Sequence, residues 1–204
     1  MEEFGEKVKI SEDTKMEVDQ ERSMAIIDLL QRFLVVQQRR AQTYARLRRG
    51  FNEYIAGGGD LAYQQLCRDI THEFNECSKQ VLEIESLFLK PDFSRNDLAS
   101  LLRSVQTQEK EKLNLTVTIQ VLKKAGRPSE RLVSHDQCKF STPSKHECVH
   151  VHEISEGDGT EEAEADAEFD AALNEAIRGV QDAVTNINEH LEEVRYEIEA
   201  LQAD

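Results

Sequence analysis

The stretch LNEAIRGVQDAVTNINEHLEEVRYEIEAL, Leu173 to Leu201, decides the fold class. Its apolar residues step by four and three without a break: Leu173, Ile177, Val180, Val184, Ile187, Leu191, Val194, Ile198 and Leu201. That alternation is a coiled-coil seam, with Ile177, Val184, Leu191 and Ile198 at a and Leu173, Val180, Ile187, Val194 and Leu201 at d. No proline interrupts it, and Gly179 falls at an outward c position. So narrow a stripe needs a partner helix, because alone it leaves the seam in water. The partner is the rest of this chain or a second chain. The seam from Ile177 to Leu201 is therefore the candidate protein-binding surface, and a homodimer is one way to fill it.

Working outward, the chain of 204 residues carries 32% charged side chains, 39% hydrophobic ones, three prolines, nine glycines and no tryptophan. Long helices with thin apolar seams produce that balance, and the clustered Gly and Pro do not suit an all-β fold. The reading is all-α: an elongated antiparallel bundle or coiled coil of about four long helices, with one irregular loop. Residues 1–20 read as a disordered acidic arm and 21–125 as a three-helix hairpin region. Residues 126–160 read as a His/Cys loop with an acidic linker, and 161–204 as the C-terminal coiled-coil helix.

The first helix is expected from about Glu21 to Ala56, with Ile27, Leu30, Leu34, Ala41, Tyr44 and Phe51 on its seam and Ile26, Phe33, Leu47 and Tyr54 widening it. Gly57-Gly58-Gly59 ends it, and Asp60 is expected to cap the next helix. That helix, about Leu61 to Lys90, carries Leu66, Ile70, Phe74, Cys77, Val81, Ile84 and Phe88 on one face before Pro91 stops it. Ser94 and Asp97 resemble a capping box for the third helix. Its end, Leu113 to Leu122, is β-branched enough to pass for a strand, but the seam spacing favours helix.

Net charge is −15, which repels nucleic acid and anionic lipid unless basic residues are segregated. They are segregated in part. Arg32, Arg39 and Arg46 recur every seven residues opposite the expected seam, with Arg40, Arg48 and Arg49 beside them. A ridge of guanidiniums contacts phosphates or an acidic partner bidentately. The alternative is a solvated face paired with acids of the same protein.

The loop holds His135, Cys138, His146, Cys148, His150 and His152. In HECVHVH, an extended strand places the potential ligands on one face and Val149 and Val151 on the other. Imidazole and thiolate suit zinc, although the spacing matches no standard finger and paired C-x-x-C signals are absent. A short strand with solvated histidines stands as the other reading, so Zn²⁺ is the one cofactor in question. Gly57-Gly58-Gly59-Asp60 lacks the strand and the Lys-Ser/Thr of a phosphate loop. No nucleophile motif or isolated acid–base pair occurs, and the expectation is a protein without catalytic residues. The N-terminal stretch lacks the apolar core of a secretory signal, and no run of about 18 apolar residues is present, so an intracellular protein with reduced cysteines and no membrane span is expected.

Five blocks in order carry a family resemblance: LLQRFLVVQQRRAQTYARLRRGF, GDLAYQQLCRDITHEFNECSKQV, KKAGRPSERLV, KHECVHV and EEAEADAEFDAALNEAIRGVQDAVTNINEHLEEVRYEIEAL. Together, across Ile26 to Leu201, they resemble the Rex one-B domain family, named for "required for excision" in DNA repair. The resemblance implies a nuclear accessory role in excision repair and carries no catalytic residues. Net acidity makes contact with a repair protein through the helical seams the expected mode. A structural coiled-coil component of a cytoskeletal or ciliary assembly is the competing expectation.

Overall fold

The computed structural model describes residues 2–130 and 158–203. It is all-α: α1 (Glu2–Ile55), α2 (Asp60–Phe88), α3 (Asn96–Ala125), a 3-10 turn at Pro128–Glu130, and α4 (Asp158–Ala203). No described helix is long and apolar enough to cross a membrane.

α1 begins at Glu2 and runs through the first twenty residues, which the sequence reading left as an arm. That stretch lacks an apolar period, but it contains no proline, one glycine and many Glu and Lys residues, all tolerated in a helix. α4 likewise starts at Asp158, inside the expected acidic linker. Leu113 to Leu122 is helical.

Two turns differ from the expected caps. At the end of α1 the Gly58 amide donates to Glu53 O (2.9 Å) and the Gly57 amide to Tyr54 O (3.2 Å), a Schellman motif. Gly57 takes φ +105°, which a side chain resists. Gly59, rather than Asp60, is the N-cap of α2, and no side chain closes it. Ser94 is not a cap either: its hydroxyl donates to Pro91 O (2.9 Å), while Asp97 pairs with Arg95 (2.6 Å).

The chain forms two compact units, Met1–Glu111 with Asp182–Asp204, and Lys112–Gln181. In the first, four helical segments alternate in direction. Tyr44 meets Phe74 and Arg40 meets Ser78 across α1 and α2. Glu85 meets Arg103 across α2 and α3, and Arg95 meets Glu197 across α3 and α4. The apolar core joins Leu30 and Phe33 of α1, Val81, Ile84 and Phe88 of α2, Leu102 and Val105 of α3, and Ile187, Val194 and Ile198 of α4. Each such side chain, fully buried, contributes about 1.5–3 kcal/mol. The expected face of α2 is the buried one, with Leu66 half-buried at its end.

The second unit has a thinner interior. Leu115, Ile119 and Leu122 of α3 and Phe169, Leu173, Ile177 and Val180 of α4 are half-buried, while Ala176 is buried. Gly179 is a point of close approach rather than an outward position. A Cβ there would come within 2.7 Å of Leu115 Cδ1. The 3-10 turn is tied to α4 by Ser129, whose amide and hydroxyl donate to Asp166 (3.0 and 2.6 Å), and by Arg127 on Asp170.

Candidate functional site

The buried line along α1 is Ile26, Leu30, Phe33, Gln37, Arg40, Leu47 and Phe51, with half-buried Tyr44 between them, an unbroken four–three alternation. The expected seam centres one position round the helix, on Ile27 and Leu34, with Ile26, Phe33 and Leu47 at its edge, because Gln37 and Arg40 do not look like core residues. Accepting them as such restores the period, and that was the available signal.

This rotation decides the fate of the arginines. Arg40 belongs to the interior and is 2% exposed. Its Nη2 donates to Ser78 Oγ (3.2 Å) and to Gln106 Oε1. Burial pushes its pKa below the ordinary arginine value, and the Glu109 carboxylate opposes that. Arg39 and Arg46 lie on the flank facing α2, where both meet Glu73, the Arg46 contact at 3.7 Å. The hydrogen bond from Arg39 holds the Glu73 carboxyl below its usual range. Arg32, Arg48 and Arg49 are exposed. The arginines of α1 are thus divided three ways, between interior, intramolecular ion pair and solvent.

Around Arg40 the bundle carries a polar layer. The Tyr44 hydroxyl donates to Glu109 O (3.2 Å), the Gln106 amide to Ser78 O (3.3 Å), and the Asn186 amide of α4 to Gln108 Oε1 (3.4 Å). Burial raises the Tyr44 phenol above its ordinary value, and the Glu109 charge adds to the effect. Glu109 itself is buried. The Gln37 amide nitrogen and oxygen and Arg40 Nη1 are buried with no hydrogen-bond partner among the described residues.

The seam of α4 is also turned. Its buried residues are Ala176, Ala183, Ile187, Val194 and Ile198, with Leu191 and Leu201 packed partly against the core. Val184, an expected a position, is 37% exposed. Ala183 at g is buried beside exposed Val184, while Ile187 and Val194 at d and Ile198 at a are buried as expected. In the first unit this seam is filled by α1, α2 and α3 of the same chain. Ile177 and Val180 lie half-buried in the second unit. The proposed metal ligands His135, Cys138, His146, Cys148 and His150, with His152, lie outside the described residues. Among the described residues no group of three or more His, Cys, Asp or Glu is placed to hold a metal ion.

One feature was missed by sequence reasoning altogether. A groove of about 870 Å³ runs between α1 and the last turns of α4, lined by Met16, Met24, Ile27 and Leu201 and by Asp19 and Asp28. Met16 and Met24 are 67% and 65% exposed.

Comparison with known proteins bears on α1 to α3. Residues 28–123 match the family model described as DNA repair REX1-B. The match stops short of α4, whereas the five-block resemblance reached Leu201. A Bos taurus protein named "Required for excision 1-B domain-containing protein" is 30% identical over 100 residues, 48% of this chain and 55% of its own length. A Mus musculus protein of the same name is 29% identical over 108 residues, 52% of this chain and 63% of its own length. The chain therefore covers less than two thirds of either relative. No solved structure matches it.

Proposed function

We propose that this chain, whose residues 28–123 match the model of the DNA repair REX1-B family, serves excision repair as an accessory factor acting by protein contact. Nuclear action and a non-catalytic role are parts of the same reading. The observation that carries the contact mode is the division of the arginine ridge. A phosphate-binding face needs its guanidiniums free and aligned. Here Arg39 and Arg46 share Glu73, and Arg40 is interior. The net charge of −15 further opposes approach to DNA.

The test is removal of ultraviolet photoproducts from the DNA of cells deleted for the chain and of cells in which it is restored. Slower lesion removal, recovered by the wild-type chain and by an Arg32→Glu/Arg49→Glu variant, is the expected result. Unchanged lesion removal on deletion rules out the repair role. If instead the charge-reversed variant fails to restore repair while folding normally, direct phosphate contact replaces protein contact as the mode.

A further inference from the structure

We propose that the groove between α1 and the end of α4 docks an amphipathic helix of a partner protein, with Lys and Arg flanking its apolar stripe. The proposal rests on the protein-contact reading above and names the partner's chemistry. The groove lies within the first unit, and its α1 wall is a single helical stripe: Met16, Gln20, Ser23, Met24, Ile27 and Gln31. The stripe runs about 22 Å at 1.5 Å per residue, the length of a partner helix of about 15 residues. Helix-in-groove recognition uses anchors at this three–four spacing. Apart from Met1, Met16 and Met24 are the only methionines of the sequence. Unbranched, polarizable and exposed, they can shape themselves to an incoming side chain.

Charge selects the occupant. Between Met16 and Gln31 stand Glu17, Asp19, Glu21 and Asp28 against one cation, Arg22. The Arg22 guanidinium is engaged with Phe93 O at the α2–α3 turn. The last turn of α4, on the opposite wall, carries no basic side chain. An acidic rim around an apolar floor repels nucleic acid, anionic lipid and a second copy of a chain with net charge −15, and attracts a basic helix.

The test titrates the isotope-labelled full chain with a synthetic 15-residue peptide of about the groove's length, bearing leucines at every third or fourth position and lysines elsewhere. A matched peptide has glutamates for the lysines. Amide shifts confined to residues 16–31 and 201–202, seen with the lysine peptide alone, are expected. Met16→Lys with Met24→Lys weakens that binding by about tenfold or more, while Met16→Leu with Met24→Leu retains it. Both sites are exposed, so helix content and melting midpoint hold in each variant. Shifts spread over the acidic face of α4, equal binding of the glutamate peptide, or affinity indifferent to the lysine substitutions overturn the proposal. So does a dimer of the free chain that the lysine substitutions dissociate, since a second copy would then be the occupant. Photoproduct removal reads the whole chain. A groove that fails to bind leaves the repair reading standing, whereas a repair-neutral deletion beside a groove that binds removes the repair reading alone.

Discussion

Two layers of the first unit are made by the same four helices in opposite ways. Around Phe33, Phe88, Leu102 and Val194 the contacts are between apolar side chains, each replaceable by another of like volume. Around Arg40, Tyr44, Gln106 and Glu109 the helices meet through hydrogen bonds and opposed charges, and each group depends on a particular partner. The apolar layer supplies binding energy between helices without direction. The polar layer adds little net energy but penalises any register that separates its members. The bundle is held together at one level and aligned at the other.

The largest effects test that division. Phe33→Ala should cost about 3–5 kcal/mol in urea unfolding, because the cavity cannot refill. Arg40→Ala should cost about as much, 3–5 kcal/mol, because it empties a buried site, strips Ser78 and Gln106 of their bonds to the guanidinium and removes the positive charge that buried Glu109 feels. The two should differ in their remedy. Replacing Gln37, Arg40 and Glu109 together by Leu, Met and Leu should restore stability or exceed the wild type by about 1–4 kcal/mol. No polar exchange should rescue Phe33→Ala. If the triple variant is also uniquely folded, by dispersed amide spectra, the polar layer is not needed for alignment.

A smaller contrast reads the turned seam of α4. Ile187→Asp puts a charge into the core and should lower stability by at least about 3 kcal/mol. Val184→Asp, three residues away and 37% exposed, should stay within about 1 kcal/mol. Equal losses would restore the a/d face.

The smallest effects are in pH. Tyr44→Phe removes one hydrogen bond, worth about 1 kcal/mol. It should also change the alkaline limb. The folded phenol titrates above its ordinary value of 10.0, so its contribution is intact below that pH and is lost as pH rises past it. The phenylalanine variant lacks that loss, and its stability should be flatter above pH 10.0. Glu73 behaves in the opposite sense. Its folded carboxyl titrates below its ordinary 4.5, so stability is present above that value and falls as pH drops through the lowered one. Glu73→Gln should flatten the acid limb, and thermal unfolding across the pH range checks both.

The sequence was most readable where its apolar period was clean. Ile70, Phe74, Cys77, Val81, Ile84 and Phe88 name the buried face of α2 without help. In α1 a period count finds Ile26, Leu30, Phe33, Tyr44, Leu47 and Phe51 but discards Gln37 and Arg40, the residues that complete the line. In α4 the rule favoured Val184 over Ala183, yet small residues are what close helix packing selects. Neither case is a failure of periodicity. Both arise because hydrophobicity ranks side chains singly, while packing ranks them by what stands opposite. That α4 packs against its own chain was not legible, because a seam does not name its partner. The groove was invisible for a related reason: its walls lie in segments far apart in sequence.

The stacked pair Tyr54 and Tyr63, with ring centroids 4.5 Å apart, has a consequence for how this protein is watched. With no tryptophan, its intrinsic emission comes from four tyrosines. Tyr44, Tyr54 and Tyr63 sit on the α1–α2 hairpin, and Tyr196 on α4 is already 68% exposed. Fluorescence therefore follows the opening of one hairpin, while far-ultraviolet dichroism sums all four helices. Where the two unfolding curves part, unfolding is not two-state and the hairpin opens in a step of its own.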